Sequence, residues 1–162
     1  PKLALEPFRR AAPAREQEPL PYLIEDTLGL FAIALSVTLQ PETGPETVVS
    51  QTNYGEMYYS SAQQLAHHTT AGSPMNVGDL LGSGTISGPT RDGRGSFLEL
   101  SWGGKEPIEL EGGESRSFLE DGDTAILRGA AIGDGYRVGF GECSGQVIPA
   151  LDASELPYKT ER

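Results

Sequence analysis

From Val77 onward, short apolar runs alternate with glycine-rich turns at intervals of about ten residues. Glycine allows the tight chain reversals that such turns need. This spacing is typical of a β-sandwich or barrel, and it constrains the fold more than any other feature. The predicted strands cover residues 80–86, 96–102, 107–110, 116–119, 124–131 and 136–148. The last run contains Gly139, Gly141 and Gly145, which predict a β-bulge or a close backbone approach.

The first half of the chain predicts a β-hairpin followed by one helix. Residues 30–39 alternate with a period of two, and residues 46–52 return after a turn as a second strand. Asn53 and Glu56 have capping-box spacing, which predicts a helix over 54–70. Residues at three- and four-residue spacing predict its buried stripe: Tyr54, Tyr58, Ala62, Leu65 and Thr69. The predicted fold class is α+β, predominantly β, with one main helix.

The length of 162 residues suits a single domain. The charged, proline-rich residues 1–21 predict an extended connector rather than helix or strand. Residues 22–150 are predicted to form the β-rich core, and residues 151–162 a polar, frayed tail. The chain starts at Pro1 without a methionine or a signal pattern, so we expect it to be part of a longer protein.

Composition excludes several classes of partner. Twenty-three acidic and twelve basic residues give a net charge of -11, which opposes binding to nucleic acid or to an anionic membrane surface. The longest apolar run, residues 28–39, is too short to span a bilayer. The single cysteine, Cys143, excludes an internal disulfide and favours a reducing compartment. We interpret it as a small buried side chain rather than a nucleophile.

Glu99 is the candidate catalytic residue because it stands inside a predicted strand. There it shares a face with Phe97 and Ser101, away from the leucines on either side. A carboxylate on a half-buried face needs a cation or a hydrogen-bond donor. A functional partner and a structural salt bridge both meet that need. The salt-bridge candidates are Arg91, Arg94 and Arg137.

The glycine-rich loop of residues 82–89 precedes this strand. It lacks the lysine of a phosphate-binding P-loop and does not open a helix. Its backbone is able to approach a ligand closely, with the hydroxyl of Thr85 or Ser87 as a donor. The alternative is an ordinary β-turn, which the spacing alone favours.

Two further groups of polar residues are predicted to lie at the surface. His67 and His68 fall in the last helical turn, about 100° apart around the axis, so they cannot both face one metal ion. We interpret them as surface or packing histidines, with contact to a substrate or a subunit partner as the alternative. Acidic residues at turns are predicted to be solvent-exposed: Glu120, Asp121, Asp123 and Asp134.

Five segments carry a resemblance to a known family: MYYSSAQQLAHHT, GDLLGSGTISGP, GSFLELSWGG, RSFLEDGD and YRVGFGECSGQVIPAL. In this order and at these intervals they resemble the C-terminal half of the fumarylacetoacetate hydrolase family. The match runs from LALEPFR to IPAL, nearly the whole chain. The resemblance implies a mixed β-sandwich roll in a cytoplasmic homodimer. It also implies a metal-dependent hydrolase that cleaves a carbon–carbon bond of a 1,3-diketo acid, releasing fumarate and acetoacetate in the last step of tyrosine and phenylalanine degradation.

The resemblance also implies roles for individual residues. In the family, a divalent cation, Ca²⁺ or Mg²⁺, holds the diketone oxygens, and a His–Glu pair activates the attacking water. Glu99 matches the Glu of that pair, and Thr85 matches a substrate-contacting Thr. His67 and His68 match a histidine pair that is not catalytic. The general-base His, the metal ligands and a carbanion-stabilising Lys lie upstream of Pro1 in the family. We therefore expect this chain to supply one wall of an active site, with the metal ligands in the missing N-terminal part, and to be inactive alone.

Two alternatives remain open. The first is a noncatalytic β-domain whose glycine-rich loops bind a ligand or a partner, with Glu99 in a structural salt bridge. The second is a related diketo-acid hydrolase or decarboxylase of the same superfamily. The LELSW and GFGECSG segments favour the fumarylacetoacetate hydrolases themselves over that second alternative.

Overall fold

The computed structural model describes residues 2–11, 13–14 and 16–152. It shows a small α+β fold in which a four-stranded antiparallel sheet has the strand order β2-β1-β5-β6, and β3 and β4 form a separate two-stranded sheet. The strands are β1 (Ala34–Gln40), β2 (Thr47–Asn53), β3 (Ile108–Glu109), β4 (Ser115–Arg116), β5 (Thr124–Ile132) and β6 (Arg137–Gln146). The α-helices are α1 (Ser61–Thr70) and α2 (Phe97–Leu100). Short 3₁₀ turns cover Lys2–Phe8, Pro21–Leu23, Tyr54–Glu56 and Arg91–Gly93.

The predicted hairpin and the two predicted C-terminal strands form the large sheet, although β1 begins at Ala34 rather than at residue 30. β1 pairs with β2 on one side and with β5 on the other, and β5 continues through a turn into β6. The register between β5 and β6 shifts between Arg128 and Ala130, which lie opposite Glu142 and Gly139. Gly141 sits in this irregularity with φ of 77°, a conformation that favours glycine. The predicted bulge in the last strand is thus confirmed.

The N-terminal segment is part of the core, which corrects the prediction of a purely extended connector. Lys2–Phe8 forms a 3₁₀ turn, and Phe8 is 5% exposed. It packs in a buried cluster with Phe31, Ile33 and Ala131. The next residue, Arg9, forms an isolated β-bridge with Phe31. Burial of one aromatic ring against the sheet therefore outweighs the extended preference of the surrounding prolines. The predicted tail lies almost wholly outside the described residues.

The main helix is shorter than predicted. It starts after Ser60, whose hydroxyl accepts from the Gln63 N–H while the Gln63 side chain accepts from the Ser60 N–H. Asn53 caps the preceding 3₁₀ turn instead of the helix. The buried helical side chain is Gln63, whereas four residues of the predicted stripe are exposed and one is half-buried. The predicted capping box of Asn53 and Glu56 is wrong, because the Asn53 side chain accepts from the Gly55 N–H and Glu56 pairs with Arg10. The chain is extended at Met57 before the helix begins.

Two predicted strands are absent. Residues 80–86 have no regular structure, and residues 96–102 form the helical turn α2 followed by turns. Cys143, predicted to be buried, is exposed in the outer strand β6. No described helix has the length and apolar character needed to cross a membrane.

Asp123 is buried, which corrects its prediction as an exposed turn residue. Its exposed fraction is 1%, and its two carboxylate oxygens accept from Nε and Nη2 of buried Arg116 at 3.0 and 3.1 Å. Glu114 also accepts from the same guanidinium at 2.8 Å. The hydrogen bond to Asp123 raises the pKa of Arg116 above its ordinary value, against the opposing effect of burial. This pair fastens the turn before β5 to β4.

Candidate functional site

Glu99 lies in the short helix α2, so the predicted strand at this position is wrong. The N-cap residue Ser96 accepts a hydrogen bond from the Glu99 N–H at 3.3 Å, and its hydroxyl donates to Oε2 of Glu99 at 2.8 Å. Ser-x-x-Glu is the sequence pattern of a capping box, in which the N-cap and the third helical residue bind each other. That pattern was the signal for a helix start here, and the alternation of residues 96–102 concealed it.

A second hydroxyl reaches the same carboxylate from the glycine-rich loop. Ser87 Oγ lies 2.9 Å from Oε1 and 2.8 Å from Oε2 of Glu99. The same Oγ accepts a hydrogen bond from the Gly95 N–H at 3.1 Å, which leaves its proton for the carboxylate. Glu99 is half-buried, so its charge is met by two oriented hydroxyls at the protein surface. Sequence reasoning named Ser87 as a possible ligand donor but did not connect it with Glu99.

Gly95 allows the loop and the helical turn to approach this closely. A Cβ atom at Gly95 would lie 2.5 Å from the carbonyl oxygen of Ile86 and 2.7 Å from Cγ2 of Thr85. Only a residue without a side chain fits against that backbone. Through this contact the structure brings the two predicted site residues, Thr85 and Glu99, to the same part of the molecule. The Thr85 side chain is exposed.

The segment between the glycine-rich loop and α2 is anchored to the large sheet. Buried Ser50 in β2 donates from its hydroxyl to the carbonyl oxygen of Arg94 at 2.7 Å. The loop is joined to this segment by the Gly88 N–H, which donates to the carbonyl oxygen of Gly93 at 2.8 Å. The site therefore rests on β2 rather than on a free surface loop.

The arginines proposed as salt-bridge partners of Glu99 are engaged elsewhere or lie apart. Arg94 donates from Nη1 to the main-chain oxygen of Glu99 at 3.0 Å, and its guanidinium lies 5.8 Å from the ring centroid of Trp102. Arg91 forms an exposed ion pair with Glu106 at 2.8 Å, and Arg137 is exposed in β6. Within the described part of the chain, the Glu99 carboxylate has hydroxyl donors and no cation partner. The salt-bridge alternative is therefore wrong for these residues.

The two histidines lie at a separate groove of about 810 Å³. His67 and His68 are both exposed, as predicted, and line the groove beside Tyr22 and the loop residues Gly82 and Ser83. The Tyr22 hydroxyl and His67 Nδ1 are 3.0 Å apart, and the two rings stack with centroids 6.2 Å apart. Neither Glu99 nor Thr85 lines the groove. The histidines therefore do not supply a partner for Glu99.

Metal-ligating side chains do not cluster in the described residues. No group of three or more His, Cys, Asp or Glu side chains lies close enough together there to hold a metal ion. Of the acidic residues near the site in sequence, Glu99 binds serines, Glu106 pairs with Arg91, and Asp92 is exposed. What this part of the chain can offer chemically is an oriented carboxylate and the hydroxyl-bearing loop beside it.

Comparison with known proteins shows the family of the chain. The family model described as fumarylacetoacetate (FAA) hydrolase C-terminal matches residues 15–148. The match covers most of the chain, so the chain belongs to the fumarylacetoacetate hydrolase C-terminal family.

Curated relatives carry the name fumarylacetoacetase. The protein from Homo sapiens is 48% identical over 149 residues, covering 91% of this chain and 36% of its own length. The protein from Dictyostelium discoideum is 48% identical over 150 residues, covering 91% and 35% respectively. Fumarylacetoacetase fahA from Aspergillus fumigatus is 50% identical over 151 residues, covering 91% and 35%. The chain thus spans about one third of the length of the curated relatives it matches.

Proposed function

We propose that this chain supplies one wall of the active site of a fumarylacetoacetase. The reaction is the hydrolytic cleavage of a carbon–carbon bond in fumarylacetoacetate, a 1,3-diketo acid, giving fumarate and acetoacetate in tyrosine and phenylalanine breakdown. The observation that carries the proposal is the carboxylate of Glu99, held by two serine hydroxyls without a cation partner among the described residues. The names of the relatives support it.

Glu99 is proposed to orient a histidine that belongs to the rest of the intact protein. A carboxylate that accepts the N–H of an imidazole fixes the tautomer in which the other ring nitrogen takes a proton from water. Its negative charge also stabilises the imidazolium that forms. An arginine on the carboxylate would cancel that effect, because it would offset the charge and occupy the oxygens. Hydroxyl donors hold the group and leave its charge in place.

Thr85 is proposed to bind the substrate. Its side chain is exposed beside the contact between Gly95 and Ile86, two positions before the serine that holds Glu99. A hydroxyl at that position is suited to donate to a carbonyl or carboxylate oxygen of a diketo acid. Binding and water activation would then share one loop.

The intact enzyme is proposed to bind a divalent cation, Ca²⁺ or Mg²⁺, which would supply positive charge next to the diketone oxygens of the substrate. The described residues do not fit such an ion, because they contain no cluster of ligands. We therefore propose that its ligands lie in the part of the protein outside this chain.

The remaining proposals concern the whole protein. We propose that residues 1–162 form the C-terminal part of one catalytic domain with a mixed β-sandwich roll. The four-stranded sheet of this chain would be one part of that roll. The N-terminal part of the same protein would complete it. A homodimer in the cytoplasm is proposed from the resemblance of the sequence to the family.

Replacement of Glu99 in the intact protein tests the proposal. Glu99→Gln keeps the shape and the hydrogen-bond acceptor but removes the charge, so we expect kcat on fumarylacetoacetate to fall about 10²- to 10⁴-fold with little change in Tm. Glu106→Gln is the matched control, because it removes a carboxylate from an exposed ion pair in the same region. Turnover by Glu99→Gln at the wild-type rate would overturn the proposal and favour a noncatalytic domain. A panel of 1,3-diketo acids on the wild-type protein separates a fumarylacetoacetase from a related hydrolase or decarboxylase.

A further inference from the structure

Two serines control the geometry of Glu99. Ser87 and Ser96 approach the carboxylate from different segments, one from the glycine-rich loop and one from the N-cap of α2. Each serine Oγ also accepts a hydrogen bond from a main-chain N–H. The Gly95 N–H donates to Ser87, and the Glu99 N–H donates to Ser96. Because a serine hydroxyl has one proton, these N–H contacts leave that proton for the carboxylate. Both hydroxyls are thus set as donors before any substrate arrives.

The two oxygens of Glu99 are not equally occupied. Oε2 faces both hydroxyls at 2.8 Å, whereas Oε1 faces only Ser87, whose single proton is shared at 2.9 and 2.8 Å between the two oxygens. A carboxylate has about four sites that accept hydrogen bonds. Two protons therefore leave acceptor capacity free, and more of it lies on Oε1. That oxygen is the one available to an N–H donor from elsewhere in the protein.

We propose that Ser87 and Ser96 are positioning residues that hold the Glu99 carboxylate so that Oε1 receives the N–H of the catalytic histidine. The inference rests on the proposed function of Glu99 and extends it to the groups that orient it. Loss of either hydroxyl would let the carboxylate rotate about its terminal torsion, which has only weak intrinsic preferences. A displacement of the order of 1 Å in such a group lowers turnover by up to about 10²-fold.

Ser96 offers a variant that separates positioning from helix capping. Ser96→Asp keeps an oxygen that accepts the Glu99 N–H, so the cap is retained. It cannot donate to Glu99 and brings a second negative charge to it. In the intact enzyme we expect kcat to fall about 10- to 100-fold and KM to change less than about twofold, while Tm falls because the two carboxylates repel each other. Ser96→Thr keeps both donor and acceptor and is expected to retain kcat.

Ser87 is tested in the same way. Ser87→Ala removes the donor to both oxygens and the acceptor of the Gly95 N–H, so a fall in Tm is expected together with a fall in kcat of about 10- to 100-fold. Ser87→Thr restores the hydroxyl and is expected to restore most of kcat. Ser83→Ala is the control, since Ser83 lies in the same loop and its hydroxyl donates to the Gly84 carbonyl oxygen, away from Glu99.

A double-mutant cycle then shows whether the serines act through Glu99. In the Glu99→Gln background, Ser87→Ala and Ser96→Asp should each lower kcat by less than about twofold, because the group they orient has already lost its charge. Equal losses in both backgrounds, or wild-type kcat in Ser96→Asp, would overturn the positioning role. If Glu99→Gln itself has wild-type kcat, the proposed function fails. If Glu99→Gln is impaired while both serine variants are active, only the present inference fails.

Discussion

A methyl group at Gly95 should separate the glycine-rich loop from Glu99. In the structure, a Cβ at this position would lie 2.5 Å from the Ile86 carbonyl oxygen, whereas ordinary contacts begin at 3.4 Å. The loop or the helical turn must therefore move by about 0.9 Å. Such a shift would stretch the 3.1 Å hydrogen bond from the Gly95 N–H to Ser87 and with it the contact between Ser87 and Glu99.

The size of the effect follows from two opposing contributions. Forcing a methyl group into packed surroundings costs about 1–3 kcal/mol. Gly95 does not have positive φ, so alanine also gains about 0.4–1 kcal/mol by restricting the unfolded chain. The net expectation for Gly95→Ala is a loss of about 1–2 kcal/mol in the free energy of unfolding. Because the shift occurs at the serine that holds Glu99, kcat should fall about 10-fold or more.

Denaturant unfolding and steady-state kinetics on the intact protein measure both quantities. Gly145→Ala in β6 is the matched control, since no atom lies within 4 Å of its Cβ position and its φ is not positive. It should leave kcat unchanged and the free energy of unfolding the same or slightly higher. Wild-type kcat and stability in Gly95→Ala would refute the reasoning, because they would mean that the close approach does not position the loop.

Two further predictions concern stability. Asp123→Asn should lower the free energy of unfolding by about 3 kcal/mol in denaturant titrations, because buried Arg116 would keep only its less buried acidic partners. The raised pKa of Arg116 means that this pair's contribution is fully present below the pKa of unfolded arginine and is lost only in strongly basic solution, so the loss should be constant between about pH 6 and pH 9. Gln63→Ala should cost about 2 kcal/mol, since it leaves the Ser60 N–H and the Leu23 carbonyl oxygen without their buried partner. Gln64→Ala in the neighbouring position, which removes an exposed hydrogen bond to the Tyr59 carbonyl oxygen, should cost less than about 0.5 kcal/mol. Equal losses from the two variants would contradict the buried role of Gln63.

The sequence predicted the large sheet well because its signals are local. Alternation over residues 30–39 and an apolar run between turn signals over residues 124–131 mark strands that pair with β2 and β6, respectively, through short turns. The glycines of β6 predicted its bulge, since a positive φ at Gly141 is a property of one residue. Signals of this kind can be read from one short segment, without knowledge of distant contacts.

Predictions failed where a residue's environment comes from distant segments. Phe8 looked like part of a linker and is buried because Phe31 and Ile33 lie against it. Asp123 looked like a turn residue and is buried because Arg116 reaches it from β4. In residues 96–102, a period of two was given more weight than a four-residue capping pattern, yet Leu98 is 64% exposed and Leu100 is 6% exposed. In so short a stretch, one N-cap decides the conformation.

The same distinction explains what could be inferred about Glu99. The cost of burying a carboxylate dictates that it has a partner, and this was evident from its position between apolar residues. It does not dictate whether the partner is a cation or a hydroxyl, because charges attract from any direction, whereas a hydroxyl must be placed within hydrogen-bonding distance. That placement depends on Gly95, where the absence of a side chain lets residues 85–87 approach the helical turn. The residue was therefore predictable from its charge, while its donors required the close approach of two backbones that only the folded structure shows.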